Sequence, residues 1–343
     1  MNWPKDVHWI RSFEPKSEIL IYMTKRKKIF LVLFVLLILF DIQVWAQKSK
    51  NKILWTADWG PDENFIAVGG NADTLKIYRS ENLQLYKTYP IRNTITCVKW
   101  HPYKNILGVG TQTSGDKVRI LNFETDKTIE LDGISTDGAR GIDWNFSGEF
   151  LAVADNDGQI SIFDKDGHII RKIKHDNTKS ITGIDWHPSK DIFVTVGDKI
   201  RIFNIDGGLL KTIKHRKEET LLLCVAWHNS GDFFVTGDYG DHQNNYKPLL
   251  QFWSETGELI KSNSVSKGEY RNVSWNNKGN RLATASDALR VWDKKGNMMY
   301  EGKSEDYLWG VSWNRKGDRI VTSDKEQKVI IWDNKARKKM TAE

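Results

Sequence analysis

Three kinds of side chain in this sequence could carry chemistry, and each lies at a fixed distance from a tryptophan. Two cysteines, Cys97 and Cys224, each precede a Trp by three residues. Three histidines directly follow a Trp and three aspartates directly precede one: His101, His187, His228, Asp58, Asp143 and Asp185. Thiols, imidazoles and carboxylates bind metals and act as nucleophiles or general bases. The constant spacing indicates that a repeated structural element positions these groups.

Seven tryptophans divide most of the chain into units of similar length. The spacings between them are 41, 44, 42, 41, 48 and 38 residues, and they are Trp59, Trp100, Trp144, Trp186, Trp227, Trp275 and Trp313. In each unit a β-like run ends at the Trp, a polar turn follows, and a second run begins six residues after the Trp. A third alternating run ends near an aromatic residue, and a weaker fourth run follows a turn such as Asp166-Gly167. This pattern predicts four short β-strands per unit.

The repeated units resemble the WD40 repeat, a four-stranded unit of about 40–45 residues. Trp292-Asp293 and Trp332-Asp333 are full copies of the signature dipeptide of that family, and Phe163-Asp164 is a conservative copy. The loop aspartate of the family is matched by Asp157, Asp198 and Asp287. The family's Gly-His element is absent. The resemblance covers about Ile53 to Met340 and implies an all-β, seven-bladed β-propeller with four antiparallel strands per blade, in which the repeat Trp fills the space between neighbouring blades.

The seventh blade needs a fourth strand, and two segments could supply it. The spacing in the other blades places this strand at about Arg337 to Ala342, in the C-terminal tail. The N-terminal alternative, about Ile42 to Gln47, mostly precedes a proposed cleavage site. We therefore predict that the C-terminal tail closes the ring, although Arg337-Lys338-Lys339 is less strand-like than Ile42 to Trp45.

The N-terminal 46 residues are predicted to be an extension and signal peptide, and residues 47–343 the propeller. A basic run from Lys25 to Lys28 precedes twelve uncharged residues, Ile29 to Phe40, and Val44-Trp45-Ala46 resembles a cleavage site. We therefore expect an exported protein, periplasmic or secreted. The alternative is an uncleaved signal-anchor, in which case residues 29–46 would hold the protein at a membrane. Translation could start at Met1 or at Met23.

Net charge and motifs restrict the remaining function classes. The formal charge is +7, but beyond residue 46 the chain carries 44 Lys and Arg against 40 Asp and Glu. So small an excess does not favour nucleic acid as a partner. No nucleophile elbow, zinc-protease helix, P-loop or dinucleotide fingerprint occurs. We expect no enzymatic activity and no cofactor.

The candidate chemical groups are dispersed by the implied ring. Cys97 and Cys224 fall in blades two and five, across the channel and too far apart for a disulfide, so we expect buried structural thiols. The three histidines fall on three different blades, which argues against a shared metal site. Asp143 and Asp185 lie on neighbouring blades near the channel, where they could share a cation or bind backbone N–H groups and lysines.

One rim of the channel is rich in residue types that dominate binding hot spots. In WD40 propellers this rim includes the strand entry, four residues before each repeat Trp; the occupants are Trp55, Thr96, Arg140, Thr182, Leu223, Arg271 and Trp309. The predicted partner-binding residues are Trp55, Arg140, Tyr270, Arg271, Tyr307 and Trp309. Alternatively, these aromatic residues plug the channel mouth or pack against loops. The longest insertion, Gly237 to Pro248, belongs to the same rim.

Two functions remain open. The first is a non-enzymatic exported scaffold that binds a protein or peptide through the rim. The second is a propeller enzyme, or a binder of a small molecule or metal, that uses polar groups at the channel mouth such as Asp143 and Asp185.

Overall fold

The computed structural model describes residues 52–112, 117–174 and 180–343, which form 28 β-strands in seven sheets. Within these ranges there is no helix, and so none that could cross a membrane. The predicted signal peptide or signal-anchor, residues 1–46, lies outside the described residues.

Each sheet contains four sequential strands, paired antiparallel with their neighbours. Blade 1 comprises β1 (Leu54–Trp59), β2 (Phe65–Gly70), β3 (Thr74–Arg79) and β4 (Leu85–Pro90). Blade 2 comprises β5 (Ile95–Trp100), β6 (Ile106–Thr111), β7 (Arg119–Asn122) and β8 (Thr128–Glu130). Blade 3 comprises β9 (Ala139–Trp144), β10 (Phe150–Asp155), β11 (Gln159–Asp164) and β12 (Ile169–Lys174).

The remaining four blades repeat this arrangement. Blade 4 comprises β13 (Ile181–Trp186), β14 (Ile192–Gly197), β15 (Ile200–Asn204) and β16 (Leu209–Ile213). Blade 5 comprises β17 (Leu222–Trp227), β18 (Phe233–Asp238), β19 (Leu250–Ser254) and β20 (Leu259–Asn263). Blade 6 comprises β21 (Asn272–Trp275), β22 (Arg281–Ala285), β23 (Ala288–Asp293) and β24 (Met298–Lys303). Blade 7 comprises β25 (Leu308–Trp313), β26 (Arg319–Asp324), β27 (Val329–Asp333) and β28 (Lys338–Ala342). The predicted all-β, seven-bladed propeller is confirmed.

Burial changes systematically from the second strand of a blade to the fourth. In β2, β10 and β14 every residue after the first is buried, on both sheet faces. Such strands need continuous apolar or small residues, as in Phe65-Ile-Ala-Val-Gly-Gly. The fourth strands are the open edges of the sheets, and most side chains of β12 are exposed. Bulges where β4 and β12 meet their neighbours interrupt the ladder near these edges.

The apolar core consists of seven clusters, and each cluster joins two neighbouring blades. The cluster between blades 1 and 2 contains Leu75 and Ile77 from one blade and Val98 and Trp100 from the next. Equivalent clusters fill every interface around the ring, including that between blades 7 and 1. Six of the seven repeat Trp are buried, and Trp275 is half-buried against its cluster. The repeat Trp therefore occupies the predicted position between blades.

Hydrogen bonds link the repeat tryptophans of successive blades. The indole N–H donates to the carbonyl of the residue before the preceding repeat Trp, at 3.2 Å in three cases: Trp100 to Asp58, Trp144 to Lys99, and Trp186 to Asp143. A buried indole N–H costs free energy unless it finds an acceptor. In these three blades the repeat thus supplies the large side chain with a partner in the preceding blade.

The C-terminal tail closes the ring, as predicted. Strand β28 pairs with β27, and Met340 and Ala342 pack against the cluster shared by blades 7 and 1. Across that interface, Ser323 Oγ donates to the carbonyl of Leu54 at 3.0 Å, and the N–H of Trp59 donates to Ser312 Oγ at 3.2 Å. Each blade is therefore built from one continuous segment of chain.

Deletion of residues 335–343 should destabilise the protein, because it removes β28 and leaves β27 as an unpaired apolar edge. We expect a loss of roughly 2 kcal/mol or more, equivalent to a melting temperature at least about 4 °C lower, together with aggregation. Thermal unfolding monitored by circular dichroism measures this effect. Deletion of Glu343 alone is the control, and an unchanged melting temperature in the longer deletion would contradict the strand assignment.

Candidate binding site at the channel mouth

Residues at the entry to the first strands are turned into the channel by β-bulges. In six blades the register of the first strand shifts around the residue four positions before the repeat Trp: Trp55, Thr96, Arg140, Thr182, Leu223 and Trp309. In blade 6 the equivalent residue, Arg271, directly precedes β21. A bulge inserts one unpaired residue and re-aims its side chain. The repeat spacing predicted that these residues lie at the rim, but it did not predict the bulges. The one sequence signal for a bulge is a Gly directly after the bulged residue, which occurs in three blades.

All seven strand-entry residues line one cavity of about 360 Å³, which runs through the channel. At its mouth Arg140, Trp55, Trp309 and Arg271 contact one another in that order. The guanidinium of Arg140 lies 5.5 Å from the Trp55 ring, the two indole centroids are 5.1 Å apart, and the Arg271 guanidinium lies 3.9 Å from the Trp309 ring. Tyr239 continues the row, 5.6 Å from Arg271. We call these five residues the mouth row.

The mouth row brings together side chains from five blades. Cation–π contacts and the tilted indole pair hold each side chain against the next, and Trp55, Arg140, Arg271 and Trp309 are half-buried. The sequence allowed two roles for these rim residues, a partner-binding surface or a plug of the channel mouth. The same side chains fulfil both descriptions. They narrow the channel mouth and also present a surface there.

The charges of the mouth row are incompletely balanced. Arg271 donates to Glu269 at 3.2 Å. Among the described residues, Arg140 forms no ion pair. Burial, together with the positive charge of Arg271, lowers the pKa of Arg140. The arginine remains protonated because its ordinary pKa is above 12. One positive charge therefore lacks a carboxylate partner in a partly desolvated place.

Several donors at the mouth also lack acceptors. The indole N–H groups of Trp55 and Trp309, and the Nε–H of Arg140, are buried and donate to no group in the described part of the chain. Most buried polar atoms in folded proteins are hydrogen-bonded, so three orphan donors in one place are unusual. An acceptor-rich group at the mouth would match them.

Two predicted site residues have different surroundings from the rest. Tyr270 is completely buried in the cluster between blades 5 and 6, where Cys224 Sγ contacts its carbonyl at 3.2 Å. Its neighbour Arg271 points into the channel, and because successive side chains alternate, Tyr270 points into the core. Its assignment to a binding surface is therefore wrong. Tyr307 is 43% exposed and packs beside Gly268, outside the mouth row.

The blade-5 insertion is tied down at both ends and carries Tyr239 to the mouth. The buried carboxylate of Asp238 accepts N–H donations from Gly240 at 3.0 Å and from Leu249 at 2.7 Å. Arg216 donates to the other oxygen of the same carboxylate at 3.1 Å and to the carbonyl of Lys247 at 3.1 Å. The tip, which includes exposed Tyr246, remains available for contact.

A ring of side chains deeper in the channel contains the predicted aspartates. It consists of the residues before the repeat Trp: Asp58, Lys99, Asp143, Asp185, Ala226, Ser274 and Ser312. These are three residues, or roughly 10 Å of strand, beyond the mouth row. We call this ring the channel waist.

The aspartates of the channel waist are used to join blades. Asp58, Asp143 and Asp185 each accept the backbone N–H of the repeat Trp in the next blade, at 2.7 to 2.9 Å. Lys99 Nζ lies 3.3 Å from Asp143. Of the two roles expected for Asp143 and Asp185, the structure thus shows the binding of backbone N–H groups and of a lysine of this chain.

Burial raises the pKa of all three waist carboxyls. For Asp185 burial is the largest cause, and the neighbouring charge of Asp143 raises its pKa further. The negative charges raise the pKa of Lys99 in return, with Asp143 contributing most. A lysine with a raised pKa stays charged, so it balances carboxylates and does not act as a base at neutral pH.

The three histidines are structural links between blades. Nε2 of each ring contacts a glycine carbonyl of the next blade, at 3.0 Å for His101 and Gly148, 3.2 Å for His187 and Gly231, and 2.6 Å for His228 and Gly279. In all three rings Nδ1 accepts backbone N–H groups of the following turn. These partners require the neutral tautomer with the proton on Nε2.

The cysteines and the acidic groups form no metal site in residues 52–112, 117–174 and 180–343. Both cysteines are free thiols; Cys224 is buried and Cys97 is half-buried. Burial raises the pKa of Cys97 to about 12 and raises that of Cys224 as well. Thiols of this kind are protonated and unreactive at neutral pH.

The histidine links predict a specific dependence of stability on pH. Burial lowers the pKa of His101 and His187 below the ordinary 6.5. Their contribution to stability is therefore complete above about pH 6.5 and is lost as the pH falls through the lowered folded pKa, because the unfolded chain takes up protons first. As the pH falls from about 7 to about 5, the free energy of unfolding should therefore decrease less in the double variant His101→Asn/His187→Asn than in the wild type.

Urea unfolding at several pH values measures this difference. Asn is the residue that the chain itself uses at this position in blades 3, 6 and 7: Asn145, Asn276 and Asn314. His168→Asn is the matched control, since that side chain is 77% exposed. Equal pH dependence in the double variant and the wild type would contradict the role assigned to the two rings.

Comparison with known families gives matches over separate parts of the chain. The family described as anaphase-promoting complex subunit 4 WD40 domain matches residues 11–103 and 131–189. The family described as WD domain, G-beta repeat matches residues 207–243 and 296–333. The chain thus contains WD40 repeats, and they fold as a seven-bladed propeller.

Curated relatives are similar at low identity. Rat WD repeat-containing protein 35 is 21% identical over 215 residues, covering 58% of this chain and 18% of the relative. Eukaryotic translation initiation factor 3 subunit I of Neurospora crassa is 21% identical over 196 residues, covering 54% and 57%. The mouse intraflagellar transport protein 80 homolog is 22% identical over 270 residues, covering 74% and 33%. The chain therefore spans less than two thirds of the length of each of these relatives.

Proposed function

We propose that this protein is a non-enzymatic scaffold that binds a protein or peptide partner at the channel mouth, and that it acts after export from the cytoplasm. The observation that carries the first part is the mouth row. Arginine and aromatic side chains converge there on rigid strands and remain half-exposed. These residue types dominate binding hot spots, and their fixed geometry reduces the entropy lost on binding.

The names of similar proteins agree with a role in assemblies. One matching family is described as a subunit of the anaphase-promoting complex, and one relative is named as a subunit of an initiation factor. The alternative function, a propeller enzyme or a binder of a small molecule or metal, depends on Asp143 and Asp185. Both carboxylates already accept backbone N–H groups of the next blade and share the charge of Lys99, so the mouth row supports the scaffold better.

Replacing mouth-row residues should weaken partner binding without unfolding the propeller. We expect Trp309→Ala and Arg271→Ala each to cost ~1–4 kcal/mol of binding, or roughly tenfold to several hundredfold in affinity. The partner is first recovered by pull-down with the full chain from its native source, and its affinity for each variant is then measured by calorimetry.

Two further variants make this test decisive. Trp313→Ala removes a repeat Trp from the core and should cost ~3–5 kcal/mol of folding stability. Tyr103→Ala removes an aromatic residue that is 62% exposed in the turn between β5 and β6, on the opposite face, and should leave binding unchanged. If Trp309→Ala unfolds the protein as severely as Trp313→Ala, or if folded mouth variants retain the partner, the mouth is not the binding surface.

Export is supported by the sequence features of residues 25–46 alone. We expect the native protein to begin at Gln47, because Val44-Trp45-Ala46 resembles a signal-peptidase site. N-terminal sequencing of protein from the native cell, after separation of membrane and soluble fractions, tests this. A start at Met1 or Met23 in the membrane fraction would instead favour the anchored alternative.

A further inference from the structure

We propose that the channel mouth recognises an acidic group of the partner, seated between Arg140 and Arg271. This inference rests on the proposed function and specifies its ligand chemistry. The group is a carboxylate or a phosphate on an extended segment of a peptide or protein chain. The charges, the hydrogen-bond donors and the aromatic contacts of the mouth row support it, and the channel waist limits how deep the group can lie.

The first argument is charge. Arg140 and Arg271 are close enough for the charge of one to lower the pKa of the other. Glu269 compensates one of them, at 3.2 Å from Arg271. Bringing two guanidiniums together in a partly desolvated mouth is unfavourable unless a counter-charge is present. An acidic ligand would supply the missing charge, and guanidinium groups bind carboxylate and phosphate oxygens through paired N–H donors.

The second argument is the set of orphan donors. The Nε–H of Arg140 and the indole N–H groups of Trp55 and Trp309 have no acceptor within the described part of the chain. An anionic oxygen accepts several hydrogen bonds at once. A small rotation of these side chains toward a ligand oxygen would therefore satisfy donors that no described group of the protein accepts.

The third argument excludes the opposite ligand charge. Aromatic side chains at a channel mouth can form a cage for a cation. Here the aromatic faces are already in use: Arg271 lies 3.9 Å from the Trp309 ring, and Arg140 lies over Trp55. A cationic side chain would have to displace an arginine and would be repelled by the other. The tryptophans therefore position the arginines, and each ring already has a guanidinium against it.

The channel waist limits how far an anion can enter. Three aspartates and one lysine lie about 10 Å below the mouth row, and Asp185 and Lys99 line the same cavity. The lysine of this ring, Lys99, is already paired with Asp143 at 3.3 Å, so it is not available to bind an anion that passes the arginines. A cavity of about 360 Å³ accommodates a side chain or a chain end but not a folded domain. The acidic group is thus held at the mouth, with the rest of the partner on the rim.

Nuclear magnetic resonance of the full chain, labelled with ¹⁵N at the tryptophan indoles, tests the inference. Four capped pentapeptides serve as probes; they have glycine at every position except the centre, which is glutamate, phosphoserine, glutamine or lysine. Variants Trp55→Phe and Trp309→Phe assign the two indole signals. We expect the glutamate and phosphoserine peptides to shift both signals to saturation, and the glutamine and lysine peptides to leave them unchanged at the same concentration.

The two acidic probes distinguish the sources of the anion. At least tenfold tighter binding of the phosphoserine peptide identifies a phosphorylated segment as the natural ligand, and equal or tighter binding of the glutamate peptide identifies a carboxylate. Either result supports an acidic group. Equal shifts with the glutamine peptide, or tighter binding of the lysine peptide, would overturn the inference.

A matched pair of arginine variants locates the site. Arg140→Gln should weaken binding of the acidic peptides at least tenfold, which corresponds to about 1.4 kcal/mol. Arg171→Gln makes the same charge change on the outer strand of the same blade, beside Asp206, and should alter affinity less than twofold. A folded Arg140→Gln protein with unchanged affinity refutes the site. If that variant does not fold, Arg140→Lys and the peptide series on the wild-type chain provide the test.

The outcome is separable from that of the proposed function. Loss of the natural partner in Trp309→Ala, with no response to acidic peptides, leaves the scaffold function standing and refutes the acidic ligand. If the protein responds to acidic peptides but Trp309→Ala retains the natural partner, the acidic ligand site stands and the proposed binding of the natural partner at the mouth is refuted.

Discussion

Each sheet of this protein has two largely apolar faces, and only the neighbouring blades cover them. A single blade of four short strands cannot bury both faces, so its stability depends on the ring. The repeat Trp lies at every blade interface, with an indole hydrogen bond to the preceding blade in three cases. Ring closure has the same physical origin, because without the pairing of β27 and β28 the cluster between blades 7 and 1 would be open to water.

The same constraint frees other positions for function. Strand interiors and repeat Trp are fixed by packing, and in blades 2 to 7 the turns between first and second strands are fixed by His or Asn side chains that bond the backbone. The strand entry is different, because a bulged residue is outside the ladder, and three of these residues belong to none of the apolar clusters between blades. These are the positions that carry Trp55, Arg140 and Trp309. Rigid strands with irregular entries therefore hold these side chains at the channel mouth, outside the packing between blades.

Charge is arranged by depth along the channel. Two arginines with one carboxylate partner lie at the mouth, whereas three aspartates with one lysine lie at the waist. The waist carboxylates are bound to backbone N–H groups and contribute to the joining of blades 1 to 2, 3 to 4 and 4 to 5. The mouth arginines contact aromatic rings, and the Nε–H of Arg140 and the indole N–H groups of Trp55 and Trp309 have no acceptor in the described part of the chain. The two levels therefore differ in function. The carboxylates of the waist have hydrogen-bond partners within the protein, whereas the mouth keeps hydrogen-bond donors without a protein acceptor.

The spacing of Trp59 to Trp313 determined the number of blades, the strand positions and the C-terminal closure, because each of these follows from a local pattern of period two that repeats along the chain. The seven strand-entry residues were also placed correctly, since they hold one register position in every unit. Only the tertiary structure decided what these side chains contact. Trp55, Arg140, Arg271 and Trp309 come from blades 1, 3, 6 and 7, and their contacts arise from the curvature of the ring and from bulges that no spacing records. Tyr270 shows the same limit: it is adjacent to Arg271 in sequence, but the alternation of the strand sends it into the core, where burial of a large aromatic ring between blades outweighs exposure at the rim.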